Sequence, residues 1–562
     1  MHGTEDTEAY GSERWSRFVS RRSFLKGIGG TAAAVSGGAL LAACNSSDGG
    51  AGGTDVTLSV STGGPYGPMP SQKDQKAAPG VYAYAQALQE WFDKHPGVKF
   101  KTVNVDVWNQ EAITAALSGG TAPAAFISNV IGGWDYAAIR SAFLQGLAAD
   151  VTDLVAESKM IDKLEDYAKP IWENVWSVEG RYYAAPNAYN VGPGIHYRRD
   201  LIQELGLPEP QPGWTWSDVR ELAKALTKGK RKGIAMQGLG FSSSVNAEGF
   251  EFLSTIPAPE TSWNWRRDYM RNVDHWVQII GDVRAMKFED QSLLSDITFH
   301  DGEIWNAFIR EQACMHTNTV VFYTSEPSAG TTHVTLADKL GKPLEEVVGW
   351  VPFPVGRNGY ASSGFTQPQI DSVSFSPDLD EEELALIFDL HLYMIGDGFV
   401  KQKNIVYDKT KDLREIYNFD KITPVLKGTL DGMPGSPDEA WGKQFMDTVR
   451  AVTQYPLIPQ TAWFFPPEEQ VGPTTNAIDD AFSKWWFEPG EVDIAADLER
   501  AQNVLNTQAE SFTSSVPDEE FVSAANKYYA AHEKFWQQHS PEFYENVFRP
   551  FYEEAIKPAL SG

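Results

Sequence analysis

The chain has 562 residues, of which 42% are apolar, 12% aromatic and 22% charged; it is too long for one ordinary domain and too apolar for disorder, collagen or coiled coil. Its 47 basic and 75 acidic residues give a formal net charge of −28, which repels phosphate backbones and argues against nucleic acid as a partner. Two cysteines, Cys44 and Cys314, support neither a disulfide framework nor a multi-cysteine zinc site, and after residue 50 no apolar run approaches the roughly 18 residues of a membrane span.

In chain order, residues 1–19 are polar. Ser20-Arg21-Arg22-Ser23-Phe24-Leu25-Lys26 follows, then a weakly apolar Gly/Ala-rich stretch to Ala43, the order of a charged n-region and an h-region. The charged run resembles a twin-arginine export signal, carried by Arg21 and Arg22. Gly29, Gly30, Gly37 and Gly38 weaken the alternative of a buried Ala-rich helix. Leu41-Ala42-Ala43-Cys44 resembles a lipoprotein lipobox, and that resemblance implies a lipid on the Cys44 sulfur, with Cys44 as the first mature residue. Residues 1–43 are then a signal peptide. Residues 44–54, rich in Ser, Gly, Asp and Ala, are a flexible tether that holds a folded body clear of a membrane. Cys314 reads as a small buried apolar residue.

The body alternates strands and helices. Val56–Ser61 alternates and is β-branched, which predicts a strand, and Gly63-Gly64-Pro65-Tyr66-Gly67-Pro68 behind it is a loop. Helical spacing runs from Val81 to Lys94 and stops at His95-Pro96-Gly97. Val98–Val103 is a second strand, Asn109–Leu117 a helix, Ala125–Ile127 a third strand. This βαβαβ order predicts a parallel sheet whose ligands lie beyond the carboxyl ends of the strands, at the loops Thr62–Pro70 and Ser128–Tyr136. Further strands are expected at Arg181–Pro186, Gly194–Arg198 and Gly233–Gln237. Helices are expected at Arg199–Leu205, from Trp216 to about Lys228, at Glu382–Ile395 and at Ile494–Gln508. Glu519–Leu560 carries aromatics at helical spacing and reads as packed helices.

The segments Tyr183–Asn187, Ile195–Leu201, Leu205-Gly206-Leu207 and Gly213-Trp214-Thr215-Trp216-Ser217-Asp218 resemble, in that order, the central signature of family 1 of the bacterial extracellular solute-binding proteins. These are the sugar-binding components of ATP-driven importers. Ser118–Pro123, Trp172–Tyr183, Phe308–Met315, Val348–Pro354 and Asp493–Leu505 agree with the same family. Two departures are visible: Ala124 and Ala125 stand where the family usually has an acidic residue, and Val320-Val321-Phe322-Tyr323 where a Gly-Trp pair often follows.

The resemblance implies an α/β, two-lobed periplasmic-binding-protein-like (type II) fold with an inter-lobe cleft and extra C-terminal helices. It places residues 55–150 and 311–369 in lobe 1, residues 151–310 and 370–515 in lobe 2, and 516–562 in a helical extension. Crossings fall near 150, 310 and 370. It implies a monomer without cofactor or metal, exported and lipid-anchored to the outer face of the cytoplasmic membrane. Such a protein hands a sugar, foremost an oligosaccharide, to ABC permease subunits after a hinge closure.

A sugar presents apolar C–H faces to aromatic rings and a hydroxyl rim to polar side chains. Aromatics beside polar groups in loops are therefore the candidate ligand contacts: Tyr66; Asn129 with Trp134 and Asp135; Asn187 with Tyr189; then Asn318 with Tyr323, Trp463, and Trp263 with Trp265. For each, a place in the core is the competing reading. Trp485 and Trp486 sit in a helical pattern and read as core. No His-Glu-x-x-His, Gly-x-Ser-x-Gly or dinucleotide-binding glycine pattern is present, so no catalytic residue is expected. Acidic pairs such as Glu248 and Glu251 leave a lipid-anchored glycan hydrolase as the alternative, and a peptide as the alternative ligand.

Overall fold

The structure is a computed structural model that describes residues 55–132, 136–174, 176–178, 180–189, 193–236, 254–259, 265–294, 301–320, 323–324, 332–355, 370–418, 422–452, 475–511, 518–539 and 541–561. All of these fall within one packed unit, residues 53–562. Among them no helix is long and apolar enough to cross a membrane.

β1 (Val56–Ser61) and β2 (Val98–Val103) form where the alternation predicts them and pair in parallel, Val56 opposite Val98. The helix Pro79–Lys94 joins them, with Pro79 in its first turn and Ala83, Ala87, Leu88 and Trp91 buried against the sheet. Gly97, at φ 100°, ends the connection. A short helix, Gln72–Ala77, precedes it, capped by the Ser71 side chain. It buries no residue, so no apolar periodicity announced it.

β3 (Ala125–Ile127) lies on the other side of β1, where Ala124 N donates to Ser59 O at 2.7 Å. Its main partner is not a parallel neighbour. β3 pairs antiparallel with β11 (Ile370–Phe375), and β11 pairs antiparallel with β4 (Ala185–Tyr189). The parallel pair β1 and β2 and the antiparallel set β3, β11, β4 are thus two small sheets linked by the bond from Ala124 to Ser59, in place of the single parallel sheet expected. β4 also starts later than expected. Arg181 and Val178 exchange both backbone hydrogen bonds around Gly180, and that tight turn delays the strand to Ala185.

A second sheet has the order β10 (Val348–Pro352), β5 (Pro193–Arg198), β9 (Ala313–Thr319), β6 (Lys232–Ala235). β5 is antiparallel to both β10 and β9, and β6 is parallel to β9. Gly233 sets how closely the helix Trp216–Leu226 approaches: a Cβ there would stand 1.9 Å from Ala223 O.

The segment Ile195–Asp218 owes its residue types to this junction. Arg198, at the end of β5, holds Asp200 with two hydrogen bonds of 2.8 and 2.7 Å. Arg199 reaches Glu209 and the carbonyls of Glu345 and Val348. Gly213, at φ 95°, turns the chain, Trp214 donates its indole N–H to Pro352 O, and Thr215 with Asp218 closes a capping box on the next helix.

The packing divides the chain differently from the expected lobes. One hydrophobic cluster contains side chains from Val56 to Tyr189 and from Ile370 to Val449. A second contains Ile195 to Leu293, Cys314, Met315, Val351, Phe353 and Ala481 to Leu505. No crossing occurs near residue 150: Ala149 N donates to Phe375 O and Val151 N to Tyr182 O, so both sides of that position belong to the first sheet. The chain changes sheets between Tyr189 and Pro193, and again between Phe353 and Ile370. Residues 151–189 and 370–449 therefore pack with the first sheet. Residues 311–353 are divided: β9 and β10 complete the second sheet, while Val320, Tyr323, Val334 and Trp350 reach the first cluster. Periodicity reports that a strand is buried, not which sheet it joins.

The C-terminal region is helical, with Asp518–His539 followed by a run to Ser561 that contains two π-turns, Tyr544–Phe548 and Tyr552–Ile556. It forms a third cluster with a small hairpin, β7 (Thr255–Pro257) and β8 (Trp265–Arg267). Trp265 packs edge-on to Phe521 and Tyr528.

Candidate functional site

β1 pairs in parallel with β2, and Ala124, just before β3, bonds to Ser59 on β1. Open α/β sheets take ligands in the crevice beyond the carboxyl ends of their strands. The loops there are tied to one another. Ser61 Oγ donates to Val105 O at 2.7 Å, joining the loops after β1 and β2. Gln110 Nε2 donates to Ile131 O at 3.2 Å, joining the loops after β2 and β3. Tyr84 bonds both backbone groups of Gly67 at 3.1 Å, fixing the first loop to the helix below it.

Trp108 stands on this frame. It is 56% exposed, the only tryptophan among the described residues found as an exposed large apolar side chain. Its indole N–H donates to Gly63 O at 2.9 Å, and its backbone N–H to Asp106 Oδ1 at 3.1 Å. Gly63 has φ +84°, a left-handed conformation that suits glycine, and this turn aims its carbonyl at the indole. The indole is thus held at its edge while much of the residue stays exposed, a combination that suits a sugar-stacking platform.

Tyr66 is buried. His391 Nε2 faces Pro186 O at 2.9 Å, and since a carbonyl only accepts, Nε2 carries the proton; Nδ1 then accepts from the Tyr66 hydroxyl at 2.5 Å. Burial holds the His391 imidazole down to about 4, and burial with Tyr84 holds the Tyr66 phenol well above its usual range. Tyr66 therefore fixes the loop after β1 to the helix Glu381–Ile395 and to β4; its hydroxyl is taken up in that chain. Asn129, on the short helix after β3, is buried, its Nδ2 donating to Asp371 Oδ1 on β11 at 2.9 Å. Asn187, on β4, is half-buried one residue from Pro186.

Among the remaining candidates, Tyr189 stands at the carboxyl end of β4. Tyr189 is buried with its ring against Tyr167, and Tyr323 is buried and stacked on Phe445 at 3.9 Å. Burial raises both phenols above their ordinary range. The structure places both as packing residues. Asn318 is buried on β9 opposite Gly194. Trp265 lies in the third cluster, and Trp485 and Trp486 in the second. Trp134, Asp135, Trp263 and Trp463 lie outside the described residues, as do Arg21, Arg22, Cys44 and the tether. Sequence reasoning passed over Trp108 and Asp371. The rule that selected the loops after β1 and β3 applies equally after β2, and would have found Trp108.

A profile of the bacterial extracellular solute-binding proteins matches residues 73–370. No curated protein matches the chain. Among solved structures, an ABC substrate-binding protein of Listeria monocytogenes in complex with cycloalternan is 15% identical, with a TM-score of 0.51 over 81% of this chain and 99% of that one. A solute-binding protein of Agrobacterium vitis with bound D-mannitol is 16% identical, with a TM-score of 0.51 over 81% and 98%. UgpB from Mycobacterium tuberculosis, in complex with glycerophosphocholine, is 14% identical, with a TM-score of 0.50 over 79% and 99%. At such identities the likeness is one of fold, a two-lobed α/β architecture of periplasmic binding proteins. The profile spans more than half of the sequence, and the chain belongs to the family of bacterial extracellular solute-binding proteins.

Proposed function

We propose that this chain captures a carbohydrate between its two lobes and delivers it, chemically unchanged, to the permease of an ABC importer. The observation that carries the reading is Trp108, an exposed indole fixed by its N–H to the loop after β1. Stacking a pyranose ring on it buries apolar area on both partners and contributes on the order of a few kcal/mol. The ligands of two structural neighbours, cycloalternan and D-mannitol, are polyhydroxylated, in keeping with this chemistry.

Calorimetry with a panel of oligosaccharides tests the reading. Trp108→Ala should weaken affinity about ten-fold or more, at about 1.4 kcal/mol per decade, with its melting curve unchanged because the ring is already solvated. Unchanged affinity removes Trp108 from the site. Release of cleaved sugar by the wild-type chain would favour the hydrolase alternative instead.

The address belongs to the same reading. Arg21 and Arg22 direct export of an already folded chain, and Cys44 carries the lipid that keeps it at the outer face of the membrane. Cys44→Ala should move the protein from the membrane fraction to the soluble one; a variant that stays with the membrane rules out this anchor.

A further inference from the structure

Three histidines meet inside the second sheet. His196 on β5 and His316 on β9 are directly opposite in the antiparallel register, so their side chains leave the same face. Their rings are 4.4 Å apart and within 5° of parallel. His333 opens the helix His333–Leu340, whose Thr332 capping box sets its first turn. The Nε2 atoms of His316 and His333 are 3.2 Å apart, and one nitrogen from each of the three lies within 4.8 Å of the others. All three side chains are fully buried, walled by Phe308 and Tyr323.

We propose that His196, His316 and His333 form a binding site for a divalent transition-metal ion, Zn²⁺ foremost. Two nitrogens each about 2.0–2.1 Å from a tetrahedral Zn²⁺ stand about 3.3 Å from one another, the spacing His316 and His333 already have. The His196 ring is stacked on that of His316 and joins by rotating about its side-chain bonds, which brings its nitrogen into the plane a metal requires. A set of imidazoles selects Zn²⁺, Cu²⁺ or Ni²⁺ over the oxygen-seeking Mg²⁺ and Ca²⁺.

The ion would clamp the helix His333–Leu340 onto β5 and β9. Three imidazoles leave the fourth position of the tetrahedron to a water, and because all three are buried the ion is acquired during folding. The folding before export that Arg21 and Arg22 imply would load it inside the cell.

The test strips the purified chain with chelator in denaturant and refolds it alone, with Zn²⁺ and with Co²⁺. The expected result is about one ion per chain after gel filtration, a melting temperature raised by the metal, and the visible absorption of tetrahedral, nitrogen-bound Co²⁺. The double variant His316→Gln, His333→Gln should lose the ion, and His275→Gln, a buried histidine elsewhere, should keep it. If the double variant does not fold, the Co²⁺ spectrum of the wild-type chain decides alone. Absence of that spectrum, or a wild-type chain that refolds identically without metal and retains none, overturns the site and leaves a hydrogen-bonded imidazole pair. Equal retention by the folded double variant also overturns it.

Discussion

Trp108 and Gly63 position each other through one hydrogen bond, and each can be tested by what it does to the other. A Cβ on Gly63 would meet nothing nearer than Trp108 Nε1 at 3.8 Å, so a substitution there is limited by its φ of +84° and not by space. Gly63→Ala should therefore lower stability by about 1 kcal/mol and weaken sugar affinity, because the carbonyl that fixes the indole must turn. Full affinity in a folded Gly63→Ala chain, measured by calorimetry, would show that the indole needs no fixing. Arg198 and Asp200 give a larger effect by a different cause. Their side chains are 3% and 8% exposed, so removing one leaves the other charged and buried. Asp200→Ala should destabilise the fold by about 3–5 kcal/mol in urea titration, and a loss below 1 kcal/mol would mean that water or Glu311 replaces the carboxylate.

At the scale of elements, the family signature around Ile195–Asp218 is a junction, not a ligand site. Its arginines and tryptophan bond to carboxylates and backbone carbonyls that close the passage from β5 into two helices. The helix Glu381–Ile395 has the more direct bearing on ligand. Asp380 closes a capping box at its start with Glu383, and three glutamates in the first turn favour its dipole. Near its far end, His391 holds the Tyr66 loop. Asp380→Ala should cost about 1 kcal/mol in thermal or urea unfolding and leave binding unchanged, since the helix stays packed through Ile387, Phe388 and Leu390. A change in affinity larger than in stability would mean that fraying at Asp380 reaches the loop.

At the scale of the whole molecule, buried histidines give stability a dependence on acid. His391 is held to about 4 and His532 to about 3, both by burial. The facing groups are the Tyr66 hydroxyl, the Pro186 carbonyl and the Phe375 ring for His391, and Trp536 with Tyr528 for His532. A folded-state value below the unfolded one means that the unfolded chain takes up the protons first. Stability is then full above about pH 6.5 and falls as pH drops toward 4, by up to about 3 kcal/mol per histidine over that span. Asp290 and Asp497, whose carboxyls their basic partners hold low, lose stability only below the ordinary carboxylate range, so losses above about pH 4.5 belong to the histidines. Melting temperatures should be flat from pH 8 to 6.5 and fall below it, less steeply in His532→Phe; a flat profile down to pH 4.5 contradicts the burial.

The sequence alone determined what depends on neighbours along the chain. β1, β2 and β3 have their predicted limits and the helices Pro79–Lys94, Trp216–Leu226 and Glu381–Ile395 lie within two residues of theirs, because alternation, helical spacing, caps and glycines are local, whereas Val273–Phe288 and Asp397–Thr410 were not predicted. Family membership was likewise legible, in a signature whose residues make a local junction. What only the tertiary structure decided were the partnerships between distant segments. The strand β11 enters between β3 and β4 from far along the chain, since burial of a strand does not state its partner. The same holds for the site. Tyr189 and Tyr323 have ligand-like neighbours in sequence but are packed against Tyr167 and Phe445 from elsewhere, whereas Trp108 stays 56% exposed. His196, His316 and His333 show no metal-binding spacing in sequence, and only the antiparallel register of β5 with β9, and the helix beside them, brings their nitrogens within reach of one ion.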